Sequence, residues 1–266
     1  MRYVLPLREG GSLPAVVDTD RGPFVVKFLG SGHGARALIA ELIAARLAEQ
    51  LELPIPAPAI VMLEAGFGAA EPDPEIQDLL RGSAGPNFGL AFLPGALGYE
   101  PAADSGLIDP TLAASIVWFD AYLTNPDRSP RNTNILVWDG HAWLIDHGSV
   151  LYVHHRWAGW RERIQSPFPQ IRDHVLLPIA GDLHAADERL RPRLSAELLE
   201  EVVSEVPAEW LEPEPASFAS VDEQRAAYVS YLTERLAGAR SWLDTAIEAQ
   251  RQGPSKLGPR LTHRVV

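Results

Sequence analysis

Apolar positions come in short runs at the start of the chain and in helical spacing further along, and the change of period divides the molecule. Residues 3–7, 13–17 and 24–29 are apolar or β-branched. The stretches between them, Glu9-Gly10-Gly11-Ser12 and Asp18-Thr19-Asp20-Arg21-Gly22, carry turn residues, so the pattern predicts a three-stranded β-meander. Residues 36–51 then place Leu38, Leu42, Ala45 and Leu47 at intervals of two to four, the mark of an amphipathic helix. Leu53-Pro54-Ile55-Pro56-Ala57-Pro58 stops it, because each proline lacks a donor and biases its predecessor to extended backbone. A strand over 59–63 follows. Residues 66–86, rich in Gly, Pro and acids, read as an exposed insertion with a short helix at 75–80, and residues 88–93 as a strand ending at Pro94-Gly95.

Beyond that breaker the period is mostly helical. Asp109-Pro110 supplies an N-cap acceptor and a first-turn proline, and Leu112, Ile116, Phe119 and Leu123 carry the helix to about residue 124. Residues 134–136 and 141–145 form a hairpin about Trp138-Asp139-Gly140. Helices are predicted at 171–179, 195–206 and 221–250, the last opened by the capping-box spacing of Ser220 and Glu223. The fold expected is α+β and bilobal: a β-rich lobe with one main helix over 1–94, a mostly helical lobe over 95–250, and a flexible basic tail over 251–266 that holds Arg251, Lys256, Arg260 and Arg264 and no acid.

Composition narrows the function classes. A formal charge of -12 repels nucleic acid and anionic membranes, so neither is expected as a partner. With no cysteine in 266 residues, disulfide scaffolds, thiolate metal sites and cysteine nucleophiles are excluded. No apolar stretch reaches membrane-spanning length. The expectation is a soluble, cytoplasmic protein.

Candidate chemistry concentrates in two places. Lys27 stands within the apolar run Phe24-Val25-Val26-Lys27-Phe28-Leu29, and Glu41 is the lone acid of the first three turns of the next helix. Lys27 either faces solvent or holds nucleotide phosphates while paired with Glu41. Upstream, Gly10 and Gly11 let backbone N–H groups approach an anion, with Ser12 adding a hydroxyl, or else form a plain turn.

The second place is Asn125-Pro126-Asp127-Arg128-Ser129-Pro130-Arg131-Asn132-Thr133-Asn134-Ile135-Leu136, closed by Ile145-Asp146-His147-Gly148. Two Asp-x-x-x-x-Asn spacings nest here, Asp120 to Asn125 and Asp127 to Asn132. Asp120 falls within the helical period and reads as structural. Asp127 follows the helix-ending Asn125-Pro126 and is free to point into a cleft, which suits it to orient or accept the proton of an attacking hydroxyl. Arg128 either neutralises phosphate charge or pairs with an acid. A hard cation such as Mg²⁺ takes oxygen ligands; Asp146 is the carboxylate, returned beside the loop by the hairpin, and Asn132 or Asn134 is the amide. Asn132 has the spacing and is slightly favoured, while Asn134 opens the Asn-Ile-Leu run. His147 has no second histidine at ligand spacing and reads as a loop residue.

Together these pieces resemble the HipA-like kinases, and more distantly the phosphatidylinositol kinases, of the protein-kinase-like superfamily. The residues that carry the resemblance are Gly10-Gly11-Ser12, Val25-Val26-Lys27-Phe28, Glu41 with its helix and Leu-Pro-Ile-Pro, Asn125-Pro126-Asp127-Arg128, Asn132-Thr133-Asn134-Ile135-Leu136 and Leu144-Ile145-Asp146-His147-Gly148, in order between residues 9 and 148. The resemblance implies a bilobal kinase fold with ATP between the lobes, Mg²⁺ on Asp146 and an asparagine, and transfer to a Ser or Thr hydroxyl of a protein. Competing expectations are a small-molecule kinase on the same fold and an ATP-binding pseudokinase that regulates a partner; intact Lys27, Glu41, Asp127 and Asp146 argue against the last. Residues 149–169 lack an Ala-Pro-Glu sequence, so conventional activation-loop regulation is not expected.

Overall fold

Turn chemistry starts the structure. Thr19 Oγ1 donates to the carbonyl of Gly22 at 2.8 Å and accepts from Arg21 N–H at 3.1 Å, and Gly22 takes a φ of +101° that glycine alone adopts without strain. This turn joins β2 (Ala15–Thr19) to β3 (Gly22–Lys27), while β1 (Arg2–Pro6) pairs along the other edge of β2. The computed structural model describes residues 2–6, 13–69, 71–104, 106–211 and 217–253. The strand expected over 13–17 starts two residues late, because Leu13 has a φ of +43° and cannot join an extended ladder.

Helix α1 (Gly34–Gln50) is buried along most of its length, with Leu38, Leu42, Ile43 and Leu47 at 1% exposure or less. After it come β4 (Pro58–Leu63), α2 (Pro74–Arg81) and β5 (Gly85–Ala91). The antiparallel sheet runs in the order β1-β2-β3-β5-β4, so that β5 lies beside the lysine-bearing strand with Lys27 opposite Phe88.

The expected exposed insertion is instead partly core. Ile76 and Leu80 of α2 pack with Val26, Phe28 and Val61, and Ser83 and Asn87 are fully buried. Asn87 Oδ1 accepts from Leu29 N–H at 2.8 Å and Ser83 Oγ from Gly30 N–H at 3.0 Å, so two polar side chains satisfy the backbone just after Lys27. Gly30 permits this approach: a Cβ there would lie 2.8 Å from the Leu79 carbonyl oxygen.

A two-residue strand, β6 (Leu97–Gly98), then joins β7 (Ile135–Trp138) and β8 (His141–Leu144) in a second sheet of order β6-β7-β8. Between β6 and β7 runs α3 (Pro110–Leu123), capped by Asp109, which accepts from Thr111 and Leu112 N–H at 2.7 and 2.9 Å. Residues 113–123 of α3 are all buried, as expected of a helix apolar on every side. After it in the chain come α4 (Trp160–Arg163), α5 (Leu183–Leu190), α6 (Ala196–Ser204), α7 (Val221–Ala237) and α8 (Ser241–Gln252). Trp118 of α3 meets Trp242 of α8 edge-on at 5.5 Å, and its Nε1–H donates to Asp187 of α5 at 3.0 Å. Fully buried Arg235 of α7 donates to the carbonyls of Ala121 and Tyr122, satisfying orphan acceptors at the end of α3.

Two helical expectations are corrected. Residues 171–179 form two 3₁₀ turns, Pro169–Asp173 and Leu177–Ile179, separated by extended backbone at His174; Pro178 cannot donate within a helix. The helix expected over 221–250 breaks after Ala237, where Gly238 is extended and Arg240 has a φ of +54°. Helix α5 was not expected, its eight residues giving too short a period to register. Among the described residues no helix is long and apolar enough to cross a membrane.

Candidate active site

Lys27 ends β3 with its side chain turned toward α1. Its Nζ pairs with Glu41 Oε1 and, at 2.5 Å, with Asp146 Oδ1. Glu41 is fully buried, whereas the Lys27 and Asp146 side chains are 16% and 45% exposed. Burial opposes the Lys27 cation, but Glu41 and Asp146 outweigh it and raise its pKa. For Asp146 burial opposes the anion and Lys27 outweighs it, lowering the pKa. Burial raises the Glu41 carboxyl, against the pull of Lys27. The solvent-facing alternative for Lys27 is therefore set aside. Gly148 lies against this group, since a Cβ there would stand 3.3 Å from Glu41 Oε1.

The loop after α3 is shaped by its asparagines. Asn125 Oδ1 accepts from Asp127 N–H at 3.0 Å, an Asx turn that carries the chain away from the helix end. Asn132 is exposed, and its Nδ2 donates to Asp127 Oδ1 at 3.1 Å. Asn134 is buried, has a φ of +48°, and donates from Nδ2 to the Asp127 carbonyl at 2.9 Å. Because its amide nitrogen is held there, Asn134 Oδ1 is the end left to act as an acceptor. Ile145 N–H donates to the Asn134 carbonyl at 3.0 Å, which brings Asp146, one residue on, beside the loop.

Arg128 does not face the cleft. It is 1% exposed, and its guanidinium donates to Asp120 Oδ2 from Nε at 2.6 Å, to the Asn134 carbonyl from Nη1, and to His147 Nε2 from Nη2 at 2.9 Å. Of the two readings of Arg128, geometry selects pairing with an acid over neutralising phosphate. Asp120 is fully buried, and also accepts from Asn125 Nδ2 at 2.8 Å and His174 Nε2 at 2.9 Å. Burial works against its ionisation, yet Arg128 and His174 hold its carboxyl well below the usual carboxylate range.

The tautomers of the two histidines follow from their partners. An arginine can only donate, so His147 accepts at Nε2 and carries its proton on Nδ1. Leu176 N–H donates to His174 Nδ1 at 3.1 Å, so His174 carries its proton on Nε2. Burial, reinforced by Arg128, lowers the His147 pKa to about 3, and burial lowers that of His174 also.

A cavity of about 460 Å³ opens above Lys27 and Asp146. Val25 and Leu90 line it from the five-stranded sheet, Leu136 and Ile145 from the hairpin side, and Phe92 and Leu93 from the segment that leaves β5. Such a volume, mostly apolar with a charged end, is that of a small-ligand site. Gly10, Gly11 and Ser12, the third element expected here, lie outside the described residues. Sequence reasoning missed Ser83, Asn87 and His174. The available signal was polar residues inside apolar surroundings, Asn87 before Phe88 and His174 before Val175-Leu176-Leu177.

A sheet whose strand lysine pairs with a helix glutamate, placed against a helical region that contributes an aspartate loop and a hairpin ending in Asp146, defines a bilobal kinase-like fold. The HipA-like kinase family model matches residues 10–242, and the chain belongs to that family; its activity is that of a phosphotransferase. Among solved structures it is similar to CtkA, a proinflammatory kinase of Helicobacter pylori, with 12% identity over 93% of this chain and 94% of that one at a TM-score of 0.55, a likeness of fold. No curated protein matches the chain.

Proposed function

We propose that the chain transfers the γ-phosphate of ATP, with Mg²⁺, to a Ser or Thr hydroxyl of a protein in the cytoplasm. The observation that carries this reading is Lys27, held between Glu41 and Asp146 at the charged end of an apolar cleft. A cation there, kept protonated by two carboxylates, is suited to bind the phosphates while the base lies against Val25, Leu90 and Leu136. Glu41, buried and out of reach of the ligand, positions Lys27.

Asp127 accepts the proton of the acceptor hydroxyl. The oxygen forms its bond to the γ-phosphorus as the bond from phosphorus to the β–γ bridging oxygen breaks, and ADP leaves with that electron pair. Asn132, bonded to the Asp127 carboxylate, orients it. The Asp146 carboxylate and an asparagine amide oxygen are hard donors that fit Mg²⁺, and when bound the ion neutralises charge on the β- and γ-phosphates. Asn134 is the amide we assign, in preference to Asn132, because its Nδ2 is fixed on the Asp127 carbonyl and its backbone is bonded to Ile145.

Incubation with γ-labelled ATP and Mg²⁺ tests the reading, with Asp127→Ala and α-labelled ATP as controls. Label should pass from γ-labelled ATP to protein acceptors and vanish in the variant. Label on metabolites alone would overturn the protein acceptor; label from α-labelled ATP would mean adenylate transfer. Asn134→Ala should raise the Mg²⁺ requirement at least about tenfold, as expected when a ligand or its support is lost, and Asn132→Ala should not.

A further inference from the structure

A second cavity, of about 270 Å³, lies beside the catalytic loop and away from the nucleotide cleft. Its wall includes Pro126, the residue before Asp127, together with Tyr152, Arg163, Pro167, Phe168 and Tyr231. Pro126 adjoins Asp127 in the chain, so the cavity borders the loop that carries that carboxylate. The wall is braced: Thr124 Oγ1 accepts from Tyr152 N–H at 3.2 Å, and Arg163 Nη1 donates to the Ala158 carbonyl at 2.7 Å. Tyr152 itself is 69% exposed, an aromatic ring on the cavity wall that faces solvent.

Size and charge choose the occupant. Pockets for whole small molecules run from roughly 300 to 1,000 Å³, so this one, at the small end, has room for an anchoring side chain of a larger partner. Two prolines and three aromatic rings in the wall suit a proline or aromatic side chain, as in grooves that read extended peptides. Within residues 149–173 stand Arg156, Arg161, Arg163 and Arg172 against Glu162 and Asp173, in a chain of net charge -12. Arg156, Arg161 and Arg172 are exposed, and Arg161 is stacked on the Trp160 ring at 4.4 Å. The segment that supplies most of the cavity wall is thus net basic on an otherwise acidic protein, which complements an acidic peptide.

We propose that this cavity is the acceptor-docking site. It takes a proline or aromatic side chain of a protein segment whose acidic neighbours lie along the arginines, and so presents a nearby Ser or Thr hydroxyl to Asp127. The proposal rests on the protein-acceptor reading above.

The test is steady-state phosphorylation, by the full chain with γ-labelled ATP and Mg²⁺, of Ser/Thr peptide arrays that vary the anchor residue and the flanking charge. The wild type should prefer peptides with proline or an aromatic residue near the hydroxyl and acids around it. Tyr152→Ala should raise the peptide KM about tenfold, the scale of losing an aromatic anchor contact, with a much smaller change in the KM for ATP. Arg156→Glu with Arg161→Glu should reverse the charge preference. Met62→Ala, at an exposed site on β4, serves as the control. If the wild type phosphorylates peptides and neither cavity variant changes peptide KM or preference, the docking site is overturned and the protein-kinase reading stands. If no peptide or protein is labelled while a metabolite is, both fall.

Discussion

Two ionic clusters meet at Asp146 and His147, adjacent residues that face opposite ways. Asp146 joins Lys27 and Glu41 at the cleft, where the Lys27 and Asp146 side chains keep 16% and 45% exposure. His147 joins Arg128 and Asp120 beneath the loop, where both side chains of the ion pair are fully buried. The first cluster can exchange partners, since its Lys27 and Asp146 side chains keep contact with solvent at the cleft. The second cannot, because every Arg128 nitrogen group already has an internal acceptor. Adjacent residues thus belong to an open ionic cluster at the cleft on one side and to a sealed one that fixes loop geometry on the other.

Breaking the sealed cluster should have the largest effect on folding. Arg128→Met leaves Asp120 ionised and buried with only Asn125 and His174 as partners, and should cost about 3–5 kcal/mol of stability, as expected for breaking a buried pair; denaturant unfolding followed by fluorescence would measure it. Lys27→Met should do the reverse. Transfer activity should fall by roughly 10²–10³, the scale of removing one preorganised charge-stabilising donor, while the unfolding midpoint moves far less than for Arg128→Met. Equal stability losses in the two variants would erase the contrast between the clusters.

Acid should act on the sealed side first. His147, and His154 bonded to Tyr228, are neutral when folded, with pKa lowered by burial from 6.5 to about 3. The unfolded chain binds protons at these sites below pH 6.5 and the folded chain does not. Their contribution is therefore present above pH 6.5 and is lost as pH falls toward 3, at about 1.4 kcal/mol per pH unit for each. Unfolding measured at pH 7 and pH 5 should show this loss, reduced in His154→Gln. The smallest effect belongs to Gly148→Ala. With the new Cβ 3.3 Å from Glu41 Oε1, the carboxylate must give by a few tenths of an ångström, which should raise the KM for ATP a few-fold with stability nearly unchanged.

What the sequence could convey follows from how local each signal is. Asp109-Pro110 and the apolar period of α3 placed that helix to within a residue, because capping and period are written in adjacent positions. Lys27, Glu41 and Asp146 were readable because strand, helix and hairpin each fix one of them. Arg128 was not, since the two roles open to it differ only in which way the side chain turns, and that depends on Asp120 and His174, eight residues before and 46 residues after. The 221–250 helix was over-read because its apolar period continues through Gly238, and the break is set by Arg240 in the left-handed region.

The tautomers fixed around Arg128 have a further consequence for where a proton can go. Arg128, His174 and Asn125 all donate into Asp120, and His147 is itself a recipient from Arg128. Arg128 only donates, to Asp120, His147 and the Asn134 carbonyl, so the cluster is not a wire: no member can take a proton at one end and release it at the other without reversing several bonds in a closed interior. On the mechanism proposed above, a proton taken up by Asp127 leaves toward the cleft and not through this cluster.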